Sequence, residues 1–409
     1  MTTSTVEIHG RRIRQARLAR RSTAKDVLAK MGWKGPRLTR MERERVVEMT
    51  TSELEKLSEV LRFPAEFFTS APLSRVEADD LSFRAPKSQT QTERNRIAEM
   101  MALAGDFFCQ LDAVHKLPPV TIGTCPTLDP VAAAAEARRQ LGLGSDETVG
   151  DLTYLLECHG VPVLMRSERF GSEGLEHNQS GRLEKHLGCS TWVGEYNERP
   201  LIMVRELDSW ERTRWTLAHE LGHVLLHAGI KNITEEHEDE ANRFASEFLA
   251  PYKFASRGVP ANMSLVSLLT VKSHWGISIG ALLRHFHDSG GLDDELFTKL
   301  QKQLYTRRNV DTGHTWGRTE PGWDERLPER PRLLSKWMEV VYGTSSAKQV
   351  AGTSKLMWPR DIISEFTTGQ RGATYTTAQS TPAVGERSAE TENVVVEFSS
   401  YRRRGERQA

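Results

Sequence analysis

At 409 residues, with 38% hydrophobic and 27% charged side chains, the chain is long enough for more than one core and composed like a protein that folds in water. Mean hydropathy is -0.50 and no apolar run approaches the ~20 residues of a membrane span, which excludes an integral helical membrane protein. Lys plus Arg and Asp plus Glu balance at 55 each, yet residues 11–45 hold thirteen basic and three acidic side chains, so the neutrality conceals a basic N-terminal module.

In chain order, Ile13, Ala16 and Leu18 point to a first helix, and helices over 24–31, 37–44 and 52–61 follow, the second ended at Gly32 and the last before Pro64. This module, 10–67, resembles the phage-repressor-like (XRE) helix-turn-helix in Arg17, Thr23, Gly32, Leu38 and Glu42. The resemblance implies an all-α domain over 1–72 with an Arg17–Glu42 salt bridge and a DNA or protein partner. The family's base-reading positions hold Gly35 and Pro36, and its small helix-two residue is Leu28. Lys34, Arg37, Arg40 and Arg43 are therefore the candidate nucleic-acid contacts, Arg40 the main one to a base, with Arg11 and Arg12 added as phosphate contacts.

A linker and a connecting helix are expected over 73–125, the linker polar from 73 to 95 and the helix running from 97 to about 115. From residue 130 the pattern mixes helices at 132–141 and 149–159 with strand-like runs at 161–165, 186–193 and 201–204, the last two joined by a hairpin loop at 194–199. Helices over 209–228 and 237–250 follow, then apolar helical segments at 265–287, 295–304 and 333–342. Residues 301–367 read as a helical C-terminal extension whose last short helix opens at Pro359, and 368–409 as a disordered tail. Cys109, Cys125, Cys158 and Cys189 form no C-x-x-C pair and are expected to be reduced thiols. The start, MTTSTVEIHG, has no secretory pattern, so a cytoplasmic location is expected.

The strongest chemical signal is His219-Glu220-Leu221-Gly222-His223. Imidazoles at i and i+4 stand one above the other on a helix and can share a metal, while the intervening Glu reaches a water held there. Leu217, Leu221 and Leu225 put an apolar stripe on another face. The third ligand is expected from the first turn of the next helix. Glu238 is preferred to Glu240 because Asn242 follows it at i+4, where its amide could orient a ligand imidazole; His237 is a lesser competitor. His227 lies ~12 Å along the axis from His219, too far to share the metal, and is read as a packing or substrate-side residue.

The stretches 214–227 and 238–251 resemble the R-x-T-L-A-H-E-L-G-H-x-x-x-H and E-x-x-A-N-x-F-A patterns of ImmA/IrrE-type metallopeptidases. The resemblance implies an α+β, gluzincin-like zinc peptidase over 126–300 with a small antiparallel sheet, cutting a repressor-like regulatory protein. On this reading Zn²⁺ sits on His219, His223 and Glu238, Glu220 is the general base, and the strand at 188–193 or 201–204 pairs an extended substrate. Tyr196, His186 and His227 are candidate oxyanion donors. The alternatives are a DNA-binding regulator with a structural or silent metal site, and a toxin–antitoxin or phage-defence component.

Overall fold

The computed structural model describes residues 4–81, 91–166 and 188–370. The join at 82–90, His186 and the expected tail beyond 370 lie outside the described residues.

The N-terminal module is not all-α. Strand β1 (Thr5–Ile8) pairs antiparallel with β2 (Val47–Thr50), enclosing helices α1 (Gly10–Ala19), α2 (Ala24–Met31) and α3 (Arg37–Arg43). Helices α4 (Thr51–Leu61) and α5 (Ala65–Thr69) follow. Val6, Ile8, Val47 and Met49 alternate inward along the two strands and pack on this core; four residues are too few for such alternation to stand out in the sequence. Helix α2 begins in a reciprocal cap, with the Thr23 hydroxyl accepting from the Asp26 N–H and the Asp26 carboxylate accepting from the Thr23 N–H. It ends at Gly32, whose φ of 73° is the left-handed stop that glycine adopts at least cost. Arg17 holds Glu42 in a two-point pair, Nε to Oε1 at 2.6 Å and Nη2 to Oε2 at 2.8 Å.

The segment after α5 is packed rather than a free linker. Val76 and Leu81 are buried, and the Ser74 hydroxyl accepts from the Gly194 N–H at 3.0 Å. Helix α6 (Gln91–Val114) starts earlier than expected and is buried on nearly every side from Arg96 to Phe108. Arg11 and Arg12, expected to face phosphate, instead face this helix. Arg12 is fully buried against Asp106 at 2.7 Å, and Arg11 pairs with Glu77 and Glu99. Leaving a buried guanidinium without its acid costs about 3–5 kcal/mol, so Arg12 depends on Asp106 of α6.

Helices α7 (Pro130–Gln140) and α8 (Leu152–Cys158) lead to β3 (Val163–Arg166), β4 (Gly188–Val193) and β5 (Arg199–Arg205). The sheet has the order β3-β5-β4 and is mixed, not antiparallel: β4 and β5 form the hairpin, but β3 runs parallel to β5. Central β5 is buried on both faces, Leu201 and Met203 against one core and Ile202 and Val204 against another. Such a strand reads as a continuous apolar run that carries no information about its neighbours' direction.

The core on the first face joins the N-terminal module, α6 and the last helices, α15 (Leu333–Tyr342), α16 (Ala347–Thr353) and α17 (Arg360–Phe366). The second core holds α7, α8, α9 (Trp210–Leu226) and α10 (Glu235–Leu249). A third lies among α11 (Tyr252–Ala255), α12 (Ser267–Trp275), α13 (Ile279–Asp288) and α14 (Asp294–Thr306). Among the described residues no helix is long and apolar enough to cross a membrane, and the four cysteines are free thiols.

Glu157 of α8 ties the extension to the sheet region by accepting from the N–H groups of Arg332 and Leu333 at the start of α15. Burial pushes its carboxyl from 4.5 up to about 8. The folded chain then keeps a proton that the unfolded chain releases, so stability should fall as pH rises from 4.5 to about 8. Glu157→Gln removes that titration. Urea unfolding at pH 5 and pH 8.5 should show the wild type losing on the order of a few kcal/mol more than the variant; parallel losses would mean that Glu157 ionises normally.

Candidate metal centre

Helix α9 starts at Ser209, whose hydroxyl accepts from the Arg212 N–H, and buries Leu217, Leu221 and Leu225 completely. Each such burial contributes ~1.5–3 kcal/mol, which fixes the rotation of the helix and so the face that carries the histidines. Helix α10 packs against it antiparallel: His223 meets Glu238, and further along the His227 ring meets that of His237 at 4.8 Å. Gly222 sits at the crossing. A Cβ there would lie 3.0 Å from the Phe244 ring and 3.3 Å from Cα of Ala241, so any side chain would crowd α10 at its present distance.

At this distance the expected trio converges. Nε2 of His219 and Nε2 of His223 are 3.1 Å apart, and each is 3.5 Å from a Glu238 carboxylate oxygen. His223 and Glu238 are buried, and Oε1 of Glu238 has no hydrogen-bond partner. Burial alone would raise the Glu238 carboxyl, but the adjacent His219 and His223 imidazoles outweigh it and hold it well below the usual range. Burial lowers His223 to about 4, that is, it keeps the imidazole neutral. Glu240 is directed elsewhere, to His227, and His237 is engaged in the reciprocal cap of α10 with Thr234. Asn242 is close enough to His219 to favour its charged form, while Nδ1 of His219 is buried without a hydrogen bond.

Glu220 points from the same helix towards the sheet. Gly188 approaches it so closely that a Cβ would stand 2.6 Å from Oε1, and the Ser190 hydroxyl donates to Oε2 at 2.8 Å. Burial pushes the Glu220 carboxyl up to about 7. Neither Gly188 nor Ser190 was singled out from the sequence, where Ser190 stands 30 positions from its partner. Period-two alternation was the available signal: it places Gly188, Ser190 and Trp192 on the face turned to α9, opposite Cys189 and Val193.

A cleft of about 520 Å³ reaches the trio at His223 and is lined also by Ser190, Trp192, Val224, His227, Arg75 and Lys231. Of the two strands expected to pair a substrate, β5 is central and has no free edge, which leaves β4. Tyr196 stands 81% exposed in the hairpin turn. His227, expected as a packing or substrate-side residue, is 3% exposed and hydrogen-bonds His223.

Residues 157–287 match the family model of peptidase M78, the IrrE N-terminal-like domain. The matched span is less than half of the chain, begins beyond the N-terminal module and contains His219, Glu220, His223 and Glu238. The span is thus similar to a peptidase domain. No curated protein and no solved structure matches the chain.

The contact at Gly222 sets the spacing of the trio. Gly222→Val must push α10 outwards, and overpacking of this kind costs ~1–3 kcal/mol. Thermal unfolding of the full chain should show that loss; a melt superimposable on the wild type would mean that the helices are not held at this distance.

Proposed function

We propose that the protein is a cytosolic zinc-dependent endopeptidase that cuts a regulatory protein, a repressor-like protein with a helix-turn-helix. The observation that carries the reading is a two-imidazole, one-carboxylate trio, with His223 and Glu238 buried, beside a buried acid. The donor set suits Zn²⁺, and its edges of 3.1, 3.5 and 3.5 Å bracket the ~3.3 Å separation of ligands at ~2.0–2.1 Å around a tetrahedral ion. The unpartnered Oε1 of Glu238 points the same way, since a buried carboxylate oxygen without a donor is costly unless a cation neutralises it.

His219, His223 and Glu238 would hold the ion. Zinc so bound supplies a Lewis acid that acidifies water and polarises a peptide carbonyl. Glu220 acts as general base, taking a proton from the attacking water and giving it to the leaving amine nitrogen. Its carboxyl, raised to about 7, is matched to both halves of that task. The Ser190 hydroxyl occupies Oε2 and leaves Oε1 for the proton. A site with a purely structural metal would have no use for Glu220.

An extended peptide would add to the β4 edge and lie in the cleft, its backbone paired and its side chains contacting Trp192 and Val224. The N-terminal module recruits DNA or a protein partner through the basic residues that remain outside. Lys34, Arg40 and Arg43 are exposed, and Arg37 is partly so beside Glu53. With Arg11 and Arg12 withdrawn into ion pairs, fewer phosphates can be contacted and the binding is correspondingly weaker.

Elemental analysis and a cleavage assay against candidate repressors test the enzyme reading. Wild type and Glu220→Gln should each hold one zinc, His223→Ala should hold none, and Glu220→Gln should lose at least ~10²-fold in cleavage. Undiminished cleavage by Glu220→Gln would move the chemistry elsewhere.

A further inference from the structure

One imidazole at the C-terminal end of α9 belongs neither to the trio nor to the apolar stripe. His227 follows His223 by one helical turn, is 3% exposed, and forms two short hydrogen bonds. Its Nδ1 lies 2.9 Å from Nδ1 of His223, and its Nε2 lies 2.8 Å from Oε2 of Glu240 in α10. The tautomers follow from who can donate. An ionised carboxylate only accepts, so Nε2 of His227 carries the proton facing Glu240. A neutral imidazole has one N–H, which makes Nδ1 of His227 an acceptor. The proton between the two rings therefore sits on Nδ1 of His223, and Nε2 of His223 keeps its lone pair towards His219 and Glu238. The opposite arrangement would set an unprotonated Nε2 against the Glu240 carboxylate.

We propose that His227 and Glu240 form a positioning relay that locks His223 in the Nδ1–H tautomer and aims Nε2 into the trio; as a device for metal binding, it rests on the zinc reading above. The relay works within a rigid frame. His223 lies in the last turn of α9 and His227 caps it, and the acceptor is anchored in α10, which packs against α9 at Gly222. It also distinguishes the two imidazoles, since Nδ1 of His219 has no comparable partner. His223 is thus the preset member of the pair. A ligand imidazole whose second nitrogen donates to a fixed acceptor is both oriented and made more basic, and losing that acceptor typically weakens metal binding 10- to 100-fold.

The test uses the full chain and two substitutions. His227→Leu removes the acceptor, whereas His227→Asn places an amide oxygen near the position of Nδ1. In zinc-free protein, ¹⁵N-detected imidazole spectra should show His223 protonated on Nδ1 and His227 on Nε2. Zinc affinity, measured by competition with a chromophoric chelator, should fall 10- to 100-fold in His227→Leu and recover most of that loss in His227→Asn. Unchanged secondary structure by circular dichroism would confirm that each variant is folded. An Nε2–H tautomer of His223 in the wild type would overturn the proposal. So would wild-type zinc affinity in His227→Leu, or equal weakness of the two folded variants. If wild type bound no zinc, the metal reading would fall by itself, because the zinc-free spectra decide the relay without it.

Discussion

The approach of α10 to α9 at Gly222 is the constraint on which the candidate site depends. A helix can place two imidazoles one turn apart without help, but it cannot bring a third ligand to them. Glu238 comes from the first turn of another helix, and it reaches 3.5 Å from both rings because the backbones touch across a residue with no Cβ. The same approach carries Glu240 to His227 and Asn242 to the neighbourhood of His219. Glu238 and Asn242, one turn apart, thus face His219 and His223, while Glu240 meets His227 beyond the end of α9. The apolar cost of keeping the helices in place is offset by Phe244 and Phe248, which are fully buried beneath the crossing.

The other wall of the site is a strand held between two cores. Because β5 is buried on both faces, it cannot shift in register without exposing one set of apolar side chains. β4 is fixed to it along its whole length and so delivers Gly188 and Ser190 to Glu220 at a set height. The first of those cores runs through the N-terminal helices, α6 and the last helices. The N-terminal module is therefore joined to the sheet by packing and to α6 by the buried pair of Arg12 with Asp106, and not merely by the chain between them.

Much of this was legible in the sequence, and what was not has a common cause. Helices α2 and α15 stand where period and punctuation put them, at 24–31 and 333–342, because apolar spacing and glycine stops are local. His219, His223 and Glu238 were legible for the same reason, as two short patterns on consecutive helices. The partners of buried charges were not. Arg12 looked like part of a solvent-facing basic patch, and its acid lies on a helix that the sequence presents only as an apolar stretch. The parallel pairing of β3 was hidden because a strand buried on both faces has lost the alternation that would orient it. Ser190 and Gly188 were hidden because a hydroxyl and a glycine acquire their meaning only when Glu220 is set above them.

The central claim is that this trio, and no other set of side chains, holds a zinc ion. Zinc K-edge X-ray absorption on full-length protein loaded with one equivalent addresses it directly. The account predicts two imidazole nitrogens with carboxylate oxygen in a single shell at about 2.0–2.1 Å. A sulfur shell near 2.3 Å, or a spectrum lacking the multiple scattering of imidazole rings, would contradict it.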